Sequence, residues 1–346
     1  AVESRLWRFM RHVLSTPGPY SQDRPAKKGI MMVERYQNYV GGAWTDATTG
    51  KVSTSTNPAD HSDVIGEFQA SDSADADTAI TAASIAKEGW RRTSSLARGS
   101  YLFKAAMHLE NNLEEYAQAV TRESGKAILE SRGEVGRAIA LLQYYGVEGS
   151  NPVGTVVPSV NPNILLYTNR MPLGVISLIT PWNFPIAIPI WKMAPALVYG
   201  NTVVLKPASA TPHVATLIAR MWEAVDLPAG VFNLLTGSGG AVGNELVTSS
   251  KVSAISFTGS TRIGMQIAVD SAKHGKKYQL EMGGKNPVIV LPDADLEQAA
   301  EINVSGAMKY SGQKCKATTR AIGVGNGMEE FKSRVGEKTQ ARKIGA

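Results

Sequence analysis

The chain has 346 residues, of which 43% are hydrophobic and 19% charged, and its formal net charge is +6. This composition is typical of a globular α/β protein of about two domains and excludes a disordered or collagen-like chain. Residues 1–31 carry six basic and two acidic side chains, so +4 of the charge lies there and the remainder is nearly neutral, which excludes a basic nucleic-acid surface.

The first 31 residues place apolar side chains at helical spacing between arginines. Such a pattern resembles an organelle presequence or a helix lying on a membrane surface. The alternative, which we favour, is a disordered extension. We expect a cytoplasmic protein because no convincing export signal is present. We expect no membrane span because the most apolar stretch, residues 184–198, is interrupted by prolines and a lysine.

From residue 32 onward the pattern becomes ordered. We predict strands at 36–44 and 64–69, with turns at Gly41–Gly42 and Asn57–Pro58. Helices are predicted to follow at 73–90, 98–111, 113–123 and 126–145. An alternating, proline-marked pattern at 151–170 predicts a pair of strands that projects from the core, which we interpret as an oligomerisation hairpin.

Between residues 173 and 292 short apolar strands alternate with helices. The strands are predicted at 174–180, 202–205, 232–235, 254–257 and 278–281, and the helices at 185–199, 212–225, 241–248 and 260–274. This alternation predicts an α/β fold with a doubly wound, Rossmann-like parallel sheet, whose ligand site lies at the carboxyl ends of the strands. We assign residues 32–150 and 171–283 to this domain.

Cys315 is the only cysteine, so it cannot form an internal disulfide. The neighbouring cations Lys314, Lys316 and Arg320 would lower the pKa of its thiol and favour the nucleophilic thiolate. The alternative is a small buried apolar side chain.

Six stretches at strand ends or helix starts carry polar or glycine-rich sequences. They are Thr180–Pro185, Leu205–Ser209, Thr236–Gly243, Phe257–Thr261, Leu280–Pro287 and Gly312–Cys315. In this order they resemble the aldehyde dehydrogenase superfamily. Tyr310–Cys315 and Lys206–Pro212 look most like the 2,5-dioxovalerate (α-ketoglutarate semialdehyde) dehydrogenases, with the succinate-semialdehyde enzymes close behind.

The resemblance implies NAD(P)-dependent oxidation of a small semialdehyde to its acid through three catalytic residues. Cys315 would attack the aldehyde and form a thiohemiacetal, Asn183 would donate to the oxyanion, and Glu281 would activate the water that hydrolyses the thioester. Read without the resemblance, the alternatives are a turn residue for Asn183 and a solvated charge or ion-pair partner for Glu281.

The resemblance also implies a dinucleotide site and no metal. Its cofactor-binding residues would be Trp182, Lys206, Ser209, Gly237, Gly239, Gly243, Phe257, Thr258, Gly259, Ser260 and Gly264. Relatives that prefer NAD often carry glutamate where this chain has Ser209, so we expect NADP to be preferred, with NAD possible. Lys206 could alternatively be a solvated charge. Phe184, Ile188 and Trp191, predicted on one helix, would line the substrate tunnel or simply fill the core.

Family chains continue well beyond the cysteine, whereas in this sequence only residues 317–346 follow Cys315 and Lys316. We therefore expect a C-terminally truncated chain in which residues 284–346 form a partial catalytic domain with a strand at 320–324 and a helix at 328–339. The family homodimer or homotetramer is then in question. Two alternatives remain: an inactive dinucleotide-binding relative, and a cysteine hydrolase using one of five histidines. Of these histidines, we expect His213 and His274 to be solvated.

Overall fold

The computed structural model describes residues 33–151 and 153–345. The predicted extension at 1–31 lies outside the described residues. The strands are β1 (Arg35–Tyr36), β2 (Asn38–Val40), β3 (Ala43–Thr45), β4 (Val52–Asn57), β5 (Asp60–Gln69), β6 (Val156–Val157), β7 (Leu166–Tyr167), β8 (Val175–Ile179), β9 (Thr202–Lys206), β10 (Phe232–Leu234), β11 (Val252–Gly259), β12 (Lys277–Met282), β13 (Asn286–Val290) and β14 (Thr318–Gly323).

The helices are α1 (Ser73–Arg92), α2 (Ser95–Asn111), α3 (Leu113–Ser124), α4 (Ile128–Glu148), α5 (Ala187–Val198), α6 (Pro212–Ala224), α7 (Gly243–Thr248), α8 (Thr261–Lys273), α9 (Leu296–Met308) and α10 (Met328–Gln340). A short 3-10 helix, Lys309–Gly312, follows α9. Among these described helices, none combines the length and the apolar character that a bilayer crossing requires.

The central sheet has the strand order β12-β11-β8-β9-β10-β2-β3. The five strands from β12 to β10 are parallel, and β2 and β3 add an antiparallel edge. Because β8 lies between β9 and β11, the chain winds outward in both directions from the centre, and the predicted doubly wound α/β fold is confirmed.

Alternate residues of the central strands bury opposite faces of the sheet, as the two-residue period of a strand requires. Val203 and Leu205 pack into a core cluster with helices α2 to α6. Val204, between them, packs into a second cluster with α1, α7 and α8. Burial on both faces explains why these strands are continuous apolar runs in the sequence.

The N-terminal strands differ from the prediction. The stretch predicted as strand at 36–44 consists of three short strands. Gly41 and Gly42, where a turn was predicted, take φ of 62° and 84° and turn the chain back between β2 and β3. Strand β4 was not predicted, since its Ser/Thr-rich sequence lacks an apolar alternation. It pairs with β5 in a separate sheet of order β1-β5-β4.

Residues 151–170 contain the antiparallel pair β6 and β7, with Val156 opposite Tyr167. Both side chains are largely exposed. Toward the end of the described chain, β13 and β14 form a parallel pair against which α9 and α10 pack around Phe331. The strand and helix predicted at 320–324 and 328–339 correspond to β14 and α10.

Candidate active site

Strands β8, β9, β10, β11 and β12 are parallel, so their carboxyl ends meet at one edge of the sheet. The loops that follow them carry most of the predicted site residues. This arrangement follows from the doubly wound topology, because every crossover returns the chain to the same edge.

Cys315 lies in a tight turn before β14, and its side chain is exposed. The backbone N–H of Ala317 closes this turn by donating to the carbonyl of Lys314 at 3.1 Å. The side-chain amide of Asn286 donates to the carbonyls of Cys315 (2.8 Å) and Ala317 (2.9 Å). Asn286 therefore fixes the turn. It was not predicted as a site residue, because an asparagine before a proline is also common in turns.

Asn183 follows β8 and approaches the same turn. Its side-chain Nδ2 donates to the carbonyl of Gln313 at 2.8 Å, while its buried Oδ1 has no hydrogen-bond partner within the described residues. The N–H of Gln313 donates in turn to the carbonyl of Tyr310 at 2.9 Å. The structure thus brings the amide donor of Asn183 to the segment that directly precedes Cys315.

Glu281 is exposed near the end of β12, where its carboxylate accepts a long hydrogen bond of 3.5 Å from Gln279. In the part of the chain that is described, no hydrogen bond or ion pair joins Glu281 to Cys315 or Asn183. Glu281 is nevertheless connected to the Cys315 turn along the chain. The β12–β13 connection runs from Glu281 to Asn286, and Asn286 holds that turn.

Lys192, on α5, was not predicted as a site residue. Its ammonium donates to the Ser256 hydroxyl (2.9 Å) and to the Gln279 side-chain oxygen (3.1 Å). Burial lowers the pKa of Lys192 to about 8, and the negative charge of Glu281 offsets part of this lowering. A lysine within an otherwise apolar helix was the signal that could have identified it.

Ser209 and Gly237, predicted from two different loops, are in contact: the Ser209 hydroxyl donates to the carbonyl of Gly237 at 3.2 Å. Gly237 takes a φ of 154°, and a Cβ there would lie 2.9 Å from Cγ2 of Val242. By contrast, Gly239 and Gly243 face open space. The loop after β10 therefore has a required glycine at its base and open backbone beyond it.

The start of α8 is capped by Ser260, whose hydroxyl accepts from the N–H of Ile263. A Cβ on Gly264 would lie 2.6 Å from Sδ of Met282, so the glycine lets α8 lie close to β12. Phe257 is buried in the core and contacts Gly259, while Thr258 is partly buried. The first N–H groups of a helix lack intrahelical partners, so this helix start fits the pyrophosphate of a dinucleotide.

Lys206 ends β9 and is buried, so the alternative that it is only a solvated charge is wrong. Its ammonium donates to the carbonyl of Pro207 at 2.8 Å, and burial lowers its pKa to about 8. Beside this loop lies a cavity of about 340 Å³ whose walls include Trp182, Ser209 and Gln313.

The three residues predicted for the substrate tunnel do not share one helix. Helix α5 begins at Ala187, so Phe184 lies in the preceding turn, where its ring packs 5.1 Å from that of Tyr310. Ile188 is partly buried and Trp191 is 52% exposed, and they lie on one face of α5. Neither Trp191 nor Phe184 is plain core.

A histidine partner for Cys315 is not found among the described residues. His213, expected to be solvated, packs its ring against Tyr36 and Phe68 instead, and burial lowers its pKa to about 4. His61, His108 and His274 make no hydrogen bond to the Cys315 turn in the described chain. The geometry therefore gives no support to a thiol–imidazole hydrolase.

Similarity to known proteins identifies the family of this chain. Residues 44–346 match the model of the aldehyde dehydrogenase family. The chain is 48% identical over 310 residues to the α-ketoglutaric semialdehyde dehydrogenase of Bacillus subtilis, covering 90% of this chain but 64% of that protein.

Two solved structures superpose with TM-scores of 0.87. One is an NADP-dependent enzyme of Escherichia coli, 36% identical, with 90% of this chain and 65% of that one covered. The other is the betaine aldehyde dehydrogenase of Staphylococcus aureus in complex with NAD+, 29% identical, with coverages of 90% and 62%. The order of the loops, the family model and these similarities agree, and the chain belongs to the aldehyde dehydrogenase family.

Proposed function

We propose that this chain carries the nucleophile of an NAD(P)-dependent aldehyde dehydrogenase that oxidises an aldehyde to a carboxylic acid. The observation that carries the proposal is the hydrogen bond from the Asn183 amide to Gln313, which places an N–H donor beside the Cys315 turn. An exposed thiol beside an oriented amide donor suits acyl-transfer chemistry through a covalent intermediate.

The thiolate of Cys315 would attack the aldehyde carbon and form a thiohemiacetal whose oxygen carries the negative charge. The Asn183 amide has a second hydrogen beyond the one that Gln313 accepts, so it would donate to this oxyanion together with the backbone N–H of Cys315. The thiohemiacetal carbon would then lose its hydrogen as hydride, for which a bound nicotinamide supplies the acceptor, and become a thioester of Cys315. Glu281 would then take a proton from the water that hydrolyses the remaining thioester.

For the cofactor we propose NADP as the preferred form. Ser209 is exposed and lies against Gly237, between the loops after β9 and β10. A carboxylate at this position would accept from a ribose 2′-hydroxyl and repel a 2′-phosphate, whereas serine leaves room for the phosphate. The start of α8 at Ser260 would hold the pyrophosphate, and Trp182 and Lys206 would border the nucleotide.

For the substrate we propose a small semialdehyde, with α-ketoglutarate semialdehyde first and succinate semialdehyde second. The order follows the name of the Bacillus relative. Phe184, Ile188 and Trp191 would form the wall of the substrate passage, since each is at least partly accessible near the Asn183 turn. The exposed strands β6 and β7 would serve as the surface for a homodimer or homotetramer.

The test is the formation of reduced cofactor by the purified chain with α-ketoglutarate semialdehyde, or succinate semialdehyde, and either NADP or NAD. Cys315→Ala is the control. Turnover that disappears in the variant supports the proposal and gives the cofactor preference. Well-folded wild-type protein that binds cofactor without turnover would overturn it in favour of an inactive dinucleotide-binding relative.

A further inference from the structure

A charged pair lies buried directly behind the candidate active site. The ammonium of Lys126 lies 2.5 Å from a carboxylate oxygen of Glu134, and both side chains are completely buried. Removing two charges from water is costly, and such a pair often contributes little to stability. Its position therefore calls for an explanation other than stability.

The pair contacts both segments that form the site. Lys126 donates a second hydrogen bond, of 2.7 Å, to the backbone carbonyl of Asn183. Its ammonium also lies 4.6 Å from the ring centroid of Phe184 and 5.4 Å from that of Tyr310. One buried cation thus contacts the turn that carries the amide donor and the segment that leads to Cys315.

Glu134 holds the other side of the same turn. Its second carboxylate oxygen accepts from the backbone N–H groups of Ile186 (2.9 Å) and Ala187 (3.1 Å), at the start of α5. Lys126 therefore binds the carbonyl of Asn183. Glu134, which is paired with Lys126, binds the backbone N–H groups of the residues that follow Asn183.

A second carboxylate on α4 holds the cysteine side. Glu130, one helical turn before Glu134, accepts the N–H of Tyr310 with both oxygens, at 2.8 and 2.9 Å. Tyr310 and Ser311 both take positive φ, of 59° and 53°, a backbone region that non-glycine residues rarely adopt. A segment in this conformation needs surrounding contacts to keep it there.

We propose that Lys126 and Glu134 are positioning residues that set the Asn183 amide and the Tyr310–Cys315 segment in one fixed geometry. The inference rests on the proposed aldehyde oxidation, because the geometry matters only if the amide stabilises an oxyanion. Pre-organised donors are effective because they need no reorganisation during the reaction. A displacement of about 1 Å at such a site can lower the rate about 100-fold.

The test uses three variants. Lys126→Met removes the buried cation, and Lys126→Met with Glu134→Gln removes both charges while keeping an oxygen that can accept from Ile186 and Ala187. Arg98→Met is the matched control, because Arg98 is also a buried cation and donates to the carbonyl of Val198 at the opposite end of α5. Each is compared with wild type in Tm, kcat, KM and amide hydrogen exchange.

We expect kcat of Lys126→Met to fall about 100-fold, with a much smaller change in KM. The double variant should regain the Tm lost by Lys126→Met, because no uncompensated carboxylate remains, but not its kcat. In Lys126→Met, the rate of amide hydrogen exchange should rise in both the peptide covering 183–187 and the peptide covering 310–315. Arg98→Met should lower Tm without these changes.

Loss of kcat in proportion to Tm across all three variants, or recovery of both quantities in the double variant, would overturn the inference. If wild type shows no turnover, the proposed aldehyde oxidation is contradicted independently of this inference. The hydrogen-exchange data alone then decide whether Lys126 and Glu134 are positioning residues. A coupled rise in both peptides still supports positioning, whereas a rise in one or neither contradicts it. Should Lys126→Met not fold, the double variant gives the same two readouts.

Discussion

The side-chain amide of Asn183 donates a 2.8 Å hydrogen bond to the backbone carbonyl of Gln313, 130 residues further along the chain. This bond joins the end of β8 to the Cys315 turn. It connects the parallel sheet with the β13–β14 pair at the position where the proposed oxidation would use residues of both.

Asn183→Ala should lower kcat of the proposed oxidation about 100- to 1000-fold, because loss of one oxyanion donor commonly costs about 2.7 to 4 kcal/mol of transition-state stabilisation. KM should change much less, since the donor acts mainly on the developing charge. Steady-state kinetics measure both constants.

Asn201→Ala provides the control for Asn183→Ala. Asn201 is a buried asparagine whose side chain binds Leu173, Gly174 and Ala196 at the opposite end of the strands. This variant should lose stability and keep kcat. Equal losses of kcat in both variants would mean that Asn183 acts only through the fold.

Gly237→Ala should destabilise the protein and weaken cofactor binding. The new methyl group would lie 2.9 Å from Val242 and 3.0 Å from the carbonyl of Ser71, at a φ of 154° that L side chains rarely adopt. Overpacking of this kind costs about 1 to 3 kcal/mol. Thermal unfolding and titration with NADP measure the two effects.

Gly239→Ala, two residues away, is the matched control, because a Cβ there meets no atom within 4 Å. Its Tm should stay close to that of wild type. A similar loss of Tm in both variants would mean that the loop needs the backbone freedom of glycine at both positions, and that the close packing at Gly237 does not explain the loss.

The sequence predicted the parts of the structure that depend on neighbouring residues. Strands β8 to β11 were predictable because burial on both faces produces apolar runs bounded by turns, as at Thr202–Lys206. Strand β4 was not, because it is polar and pairs only with β5.

The same distinction holds for the site. Asn183, Glu281 and Cys315 stand in recognisable motifs, whereas Asn286, Lys126 and Glu134 act through contacts with distant parts of the chain. Local periodicity carries no information about such contacts. Phe184 was grouped with the helix that follows Asn183, but this helix begins only at Ala187, where Glu134 binds the N–H groups of Ile186 and Ala187.

Lys192 should make stability rise with pH above about 8. Burial holds its pKa near 8 in the folded chain, well below the usual lysine value of about 10.4. Between these values the unfolded chain binds a proton that the folded chain has released, so the free energy of unfolding increases with pH. Below this window both states hold the proton, and this group contributes no pH dependence.

Lys192→Met removes this contribution, so the stability of wild type should rise relative to the variant between about pH 8 and about pH 10. Urea unfolding at several pH values measures the difference. Lys251→Met controls for a lysine at the surface, where Lys251 pairs with Asp77. A constant difference between wild type and Lys192→Met across this window would contradict the prediction.

Ser209→Glu should shift cofactor preference from NADP toward NAD. The new carboxylate would lie between the loops after β9 and β10, where the Ser209 hydroxyl now binds Gly237. It would repel a 2′-phosphate and accept a hydrogen bond from a 2′-hydroxyl, so the KM for NADP should rise about tenfold or more, while that for NAD falls or stays level. Ser209→Gln, which has the same shape without the charge, separates repulsion from crowding: it should raise the KM for NADP far less. If both variants weaken NADP equally, the 2′-phosphate does not lie against residue 209, and the preference must be set elsewhere along the nucleotide.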